Sequence, residues 1–195
     1  YGVMPANGLL YAPPHPCACY LESKLYGFNA LAAAPAGPRV VADPLGDVCF
    51  ERGPAYRETI SAEPYDQDWP TYRHDAARSG HAGTSLPEAV KESWRTDLGG
   101  KLTAPVIARG RVFVASTDTH TVHALEATDG KPIWQYMAGG RIDSPPTIHQ
   151  GRVLFGSADG WVYCVRATDG VLAWRRRAAP MDQRMTSFEQ VESVW

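Results

Sequence analysis

Cys17-Ala18-Cys19 follows a proline-rich run, with His15 two residues before it. Two thiols and an imidazole on a stiff loop suggest either disulfide or metal chemistry. Cys-x-Cys is a poor spacing for a self-contained disulfide, and a zinc site usually needs a second such pair or more histidines. The favoured expectation is a disulfide from Cys17 or Cys19 to Cys49 or to a cysteine outside this sequence. A metal site and a coincidental spacing are the alternatives. Cys164 sits within an apolar run and reads as a buried free thiol. His120 and His123 are three apart, and on a strand such positions face opposite sides, so they do not grip one ion. Asp129, Asp159 and Asp169 each stand directly before a glycine. In turns, such carboxylates accept local backbone N–H groups. Arg175-Arg176-Arg177 reads as a solvated strand edge whose charge discourages further pairing. Gly99-Gly100 and Gly139-Gly140 lack the spacing and following helix of a phosphate cradle.

The elements that must hold these residues repeat. Pro105 to Val114 matches Pro146 to Phe155, and Val122 to Gly130 matches Val162 to Gly170. The period is about 40 residues, one residue shorter across the turn after Ser116. A length change in a turn leaves the flanking strands in register. Each unit reads as short β-rich strands separated by Gly turns, with Asp159-Gly160 as a tight hairpin. Helical periodicity between the strands is missing, which argues against a parallel sheet. The expected fold class is all-β: a fragment of a β-propeller built from four-stranded antiparallel blades of about 40 residues.

Composition agrees with this reading. The chain has 195 residues, 18 Gly, 16 Pro, six Trp and nine Tyr. Frequent turns and many flat aromatics suit short strands. Apolar residues make up 44% and charged residues 21%, a globular balance. A net charge of -2 argues against a nucleic-acid binder. No apolar run reaches the length of a membrane-spanning helix, about 18 residues.

Residues 1–36 are expected to form a partial blade interrupted by the Cys-containing loop, with Gly8 to Ala12 and Gly27 to Leu31 as its strands. Residues 37–66 are punctuated by prolines and read as a linker or excursion without a core of its own. Residues 67–195 hold full repeats near 101–140 and 141–180, and a third begins near 181. The sequence starts at Tyr1 and stops at Trp195 within an alternating pattern, so a piece of a longer protein is expected, with any signal peptide upstream.

Ala124-Leu125-Glu126-Ala127-Thr128-Asp129-Gly130-Lys131-Pro132-Ile133-Trp134 resembles the tryptophan-docking motif of pyrroloquinoline quinone (PQQ) repeats. Cys164 to Trp174 is a second copy. It keeps Gly170 and Trp174 but has Cys164 for Ala, Arg166 for the acid and Val171 for Lys. Asp68 to Gly80 resembles the lead-in segment before the first blade of such proteins, and Trp94 stands where the preceding closing strand would run. The resemblance implies a structural role for Gly130, Trp134, Gly170 and Trp174: each indole lies against a neighbouring blade's glycine turn.

The resemblance brings two functional classes. One is a non-catalytic binding or scaffold module, like the propeller lipoprotein of the outer-membrane β-barrel assembly complex. Its partner, a protein or a small-molecule ligand, would sit on the propeller loops. The other is a PQQ-dependent alcohol or sugar dehydrogenase, with PQQ and calcium on the axis of a full-length ring and the cofactor site largely outside this sequence. The adjacent Cys-Cys pair of the methanol-oxidising branch is missing here. The non-catalytic class is therefore the primary expectation. Both classes imply a bacterial, periplasmic or otherwise exported protein.

Overall fold

The computed structural model describes residues 3–13, 29–32, 49–58, 67–85, 87–179, 183–187 and 190–193. The chain divides into two compact units, Tyr1–Pro44 and Leu45–Trp195.

In the first unit, β1 (Met4–Ala6), β2 (Leu9–Ala12) and β3 (Asn29–Ala32) form an antiparallel sheet in chain order. Asn7 and Gly8 both take positive φ, 53° and 74°, which matches the twist of a two-residue hairpin. The loop carrying His15, Cys17 and Cys19 lies outside the described residues.

Among the described residues, the first strand of the second unit is β4 (Phe50–Arg52), followed by two sheets of the same plan. The first sheet is β5 (Val106–Ala108), β6 (Arg111–Ser116), β7 (Thr121–Glu126) and β8 (Pro132–Met137). The second is β9 (Thr147–His149), β10 (Arg152–Gly156), β11 (Trp161–Arg166) and β12 (Leu172–Arg177). Neighbours in sequence pair antiparallel throughout. A hairpin of β13 (Arg184–Ser187) and β14 (Gln190–Ser193) follows.

The repeat is visible in backbone detail. Arg109-Gly110 and Gln150-Gly151 make matching positive-φ turns. The register shifts at Ala124/Leu125 and again at the equivalent Cys164/Val165. The architecture is all-β, built on a four-stranded antiparallel plan that occurs twice along the chain.

Alternation along the strands sends one face of each sheet inward. Val106, Phe113, Ala115, Val122 and Ala124 of the first sheet meet Val153, Phe155, Tyr163 and Val165 of the second in one core. Ile142, on the connection, is fully buried among them. The lead-in segment ties the short strands together. Trp69 exchanges backbone bonds with Ile107, Pro70 O accepts from Ile148 N at 2.7 Å, and the Asp68 carboxylate accepts from Arg109 N at 2.9 Å.

Two expectations change. Within the stretch read as a linker, Phe50–Arg52 belongs to the second sheet. There β4 adds a fifth strand on β12, in the order β4-β12-β11-β10-β9. The arginine run on β12 is therefore not a bare edge. Arg175 lies directly opposite Glu51, and cross-strand opposite charges favour the pairing that a like-charged strand would have blocked.

Candidate functional site

The glycine turns and the indoles come together one repeat apart. The β7–β8 turn brings Gly130 into the left-handed region, φ 71°, and a Cβ there would fall 2.4 Å from the Trp94 ring. Trp94 Nε1 donates to Ala127 O at 2.9 Å, and Thr96 Oγ1 donates to Gly130 O at 2.7 Å. The same arrangement recurs at Gly170, φ 74°, where a Cβ would meet the Trp134 ring at 2.7 Å. Trp134 Nε1 donates to Ala167 O at 3.0 Å. Trp174 meets no glycine turn among the described residues. It stacks instead on Phe50, with centroids 5.8 Å apart and planes 29° off parallel. Trp134 and Trp174 are both half-buried.

A buried carboxylate joins the first sheet's exit to the second sheet's hairpin. Asp159 is 4% exposed. Its Oδ2 accepts from Gly139 N at 2.9 Å and from the Tyr163 hydroxyl at 2.5 Å, and its Oδ1 accepts from Trp161 N at 3.0 Å. Ser157 Oγ donates to Gly140 O at 2.9 Å. Side chains at Gly139 or Gly140 would overlap the Asp159 turn. Burial, reinforced by the Asp159 carboxylate, pushes the Tyr163 phenol well above its ordinary range. Only the turn role of Asp159 was legible in the sequence. Its inward aim depends on Gly139-Gly140 leaving room, and an adjacent glycine pair was the available signal.

Beside this network lies a cavity of about 500 Å³, lined by Tyr136, Asp159, Trp161, Tyr163 and Arg175. The Arg175 guanidinium sits 4.5 Å over the Trp161 ring. A second cleft, about 750 Å³, opens where the lead-in segment meets β9, between His74, Asp75, Arg78 and His149. There, hydrogen bonds from the Ser79 side chain and backbone hold Asp75 down at about 2.

The remaining candidates stay apart. Asp129 and Asp169 accept from Lys131 N and Val171 N in their own turns and pair with Lys131 and Arg166. His120, in the β6–β7 turn, hydrogen-bonds Gln190 at 2.9 Å. His123 is half-buried on β7, where burial pulls its pKa down. Cys49 and Cys164 are buried free thiols, and burial raises the Cys164 pKa. Cys17 and Cys19 lie outside the described residues. Among the described residues, no three His, Cys, Asp or Glu side chains gather as metal ligands. No helix of the described residues is long and apolar enough to cross a membrane.

Comparison with known proteins places this geometry. The chain is 32% identical over 99 residues to outer membrane protein assembly factor BamB of Burkholderia pseudomallei (strain K96243), covering 50% of this chain and 26% of that one. It is 26% identical over 136 residues to 1-butanol dehydrogenase (cytochrome c) of Thauera butanivorans, covering 60% and 20%. The quinohemoprotein alcohol dehydrogenase ADHIIG of Pseudomonas putida HK5 superposes with a TM-score of 0.51 at 19% identity, over 60% of this chain and 20% of that one, a likeness of fold. The chain thus spans about a quarter or less of the length of these relatives. The PQQ_2 family model, described as outer membrane protein assembly factor BamB, matches residues 83–193, which contain β5 to β14, both glycine turns and the docked indoles. With more than half of its residues inside that match, the chain belongs to the PQQ_2 family of PQQ-like repeat proteins.

Proposed function

We propose that the chain is part of a non-catalytic PQQ-like β-propeller that serves as an exported binding or scaffold module for a protein partner. The observation that carries this reading is the match of residues 83–193 to the assembly-factor family model, and the use of the turn aspartates agrees with it. In the dehydrogenase reading, carboxylates of the ring would hold calcium beside PQQ. Here Asp159 is filled by Gly139 N, Trp161 N and the Tyr163 hydroxyl, while Asp129 and Asp169 are taken by their own turns and flanking cations. Those carboxylates fit backbone and side-chain donors rather than a calcium ion. The docked indoles are likewise spent on neighbouring turns. The similarity to the assembly factor supports a protein partner and an exported location.

The competing reading is a PQQ-dependent dehydrogenase, favoured by the match to 1-butanol dehydrogenase, which covers more of this chain than the assembly-factor match does. Adding PQQ and calcium to the full-length protein and following dye reduction with alcohols and sugars separates the two. No turnover is expected. Dye reduction that depends on both additions would establish the dehydrogenase.

A further inference from the structure

The second copy of the repeat changes two cross-strand pairs together. In the first sheet Thr121 stands opposite Met137 and His123 opposite Gln135. At the same register in the second sheet, Trp161 stands opposite Arg177 and Tyr163 opposite Arg175. Both copies keep the glycine turn that seats an indole, so the plan of the sheet does not demand these four side chains. Three of the four line one cavity, the one of about 500 Å³ beside Asp159, and Arg184 of β13 lines it as well. The fourth, Arg177, lies 5.6 Å from the centroid of the Trp161 ring, which Arg175 meets at 4.5 Å.

What this wall still offers is one-sided. Its carboxylates are spent. Asp159 accepts from Gly139 N, Trp161 N and the Tyr163 hydroxyl. Glu51 Oε2 takes both Nε and a terminal nitrogen of Arg175, at 2.7 and 2.6 Å. The Tyr163 proton goes to Asp159, and its oxygen accepts from Arg175. The buried Nε of Arg177 has no hydrogen-bond partner among the described residues. Positive charge and donors remain: the guanidinium groups of Arg175 and Arg184, with the Tyr136 hydroxyl on the facing sheet.

Such a wall suits a group that only accepts, which is an ionised carboxylate. A guanidinium fork matches the two coplanar oxygens of that group. The volume falls within the range of small-ligand pockets, about 300–1,000 Å³. We propose that the cavity between Tyr136 and the β10–β11 hairpin binds a small organic acid, its carboxylate held by Arg184 and Arg175 with the Tyr136 hydroxyl beside them. The proposal rests on this cavity alone, so it stands or falls apart from the non-catalytic reading.

The probes are acetate, succinate and citrate, with inorganic phosphate as the other oxyanion, each titrated calorimetrically into the full-length protein at matched ionic strength. At least one of the three acids is expected to saturate, and to bind more tightly than phosphate. Arg184 is exposed, so its replacement spares the core. Arg184→Gln should weaken that acid about tenfold, the scale of one charge-assisted hydrogen bond, and Arg184→Lys should recover part of the loss. Tyr136→Phe keeps the ring contacts to Phe155 and Tyr163 and should weaken binding severalfold. Arg95→Gln removes an exposed charge that does not line the cavity and should change nothing. No saturable binding of any of the three acids, an affinity indifferent to Arg184→Gln, an equal loss in Arg95→Gln, or phosphate bound more tightly than the acids would overturn the proposal.

Discussion

At the scale of single residues, the glycines in contact with indoles are the least replaceable positions. Gly170→Ala puts a methyl into the Trp134 ring at a left-handed backbone position. The backbone alone should cost about 1–2 kcal/mol, read as a lower denaturation midpoint. Trp134→Ala should cost about 3 kcal/mol, the low end for removing a buried aromatic, because the ring is half-buried. His123 adds a pH dependence. Its folded-state pKa lies below the ordinary 6.5 because burial disfavours the charged ring. The unfolded chain therefore binds the proton more readily, so this contribution is full above about pH 6.5 and fades as pH falls towards the folded pKa. Melting temperature measured across pH 5–7 should fall on the acid side, and His123→Gln should flatten that fall. The spacing of Gly130, Trp134, Gly170 and Trp174 was legible because the repeat prints it twice. That Trp174 meets Phe50 was not, since no local pattern relates residues so far apart in sequence.

At the scale of elements, the strands were readable from their alternation and their Gly turns, and the two four-stranded sheets follow. β4 was not readable. Three residues carry no period, and the surrounding prolines argue for a linker. Phe50–Arg52 is a strand because β12 offers a basic edge and an indole, not because of its own propensity. The Asp159 network is the second element-level feature that only tertiary structure exposes. It pins the β10–β11 hairpin to the strand connection at Gly139. Asp159→Ala would leave Gly139 N, Trp161 N and the Tyr163 hydroxyl without their acceptor. A loss of about 1–3 kcal/mol is expected in chemical denaturation, with faster hydrogen exchange at Gly139 and Trp161 as the local sign.

For the molecule as a whole, the docking contacts run in one direction along the chain. Trp94 rests on the turn at Gly130, and Trp134 on the turn at Gly170, each indole preceding its seat by nearly one repeat. Stability in such arrays is close to a sum of nearest-neighbour terms. Gly130→Ala and Gly170→Ala should therefore act almost additively in a double-substitution cycle, with coupling within about 0.5 kcal/mol. The same direction governs birth at the ribosome. An indole emerges before the turn that receives it has been synthesised. At about 5–20 residues per second, a repeat of about 40 residues leaves that ring waiting for roughly 2–8 s. During that interval the nascent chain offers a bare tryptophan to whatever is nearby, so translation speed and the cell's supply of holdases set how much of this protein escapes clumping before its next sheet arrives.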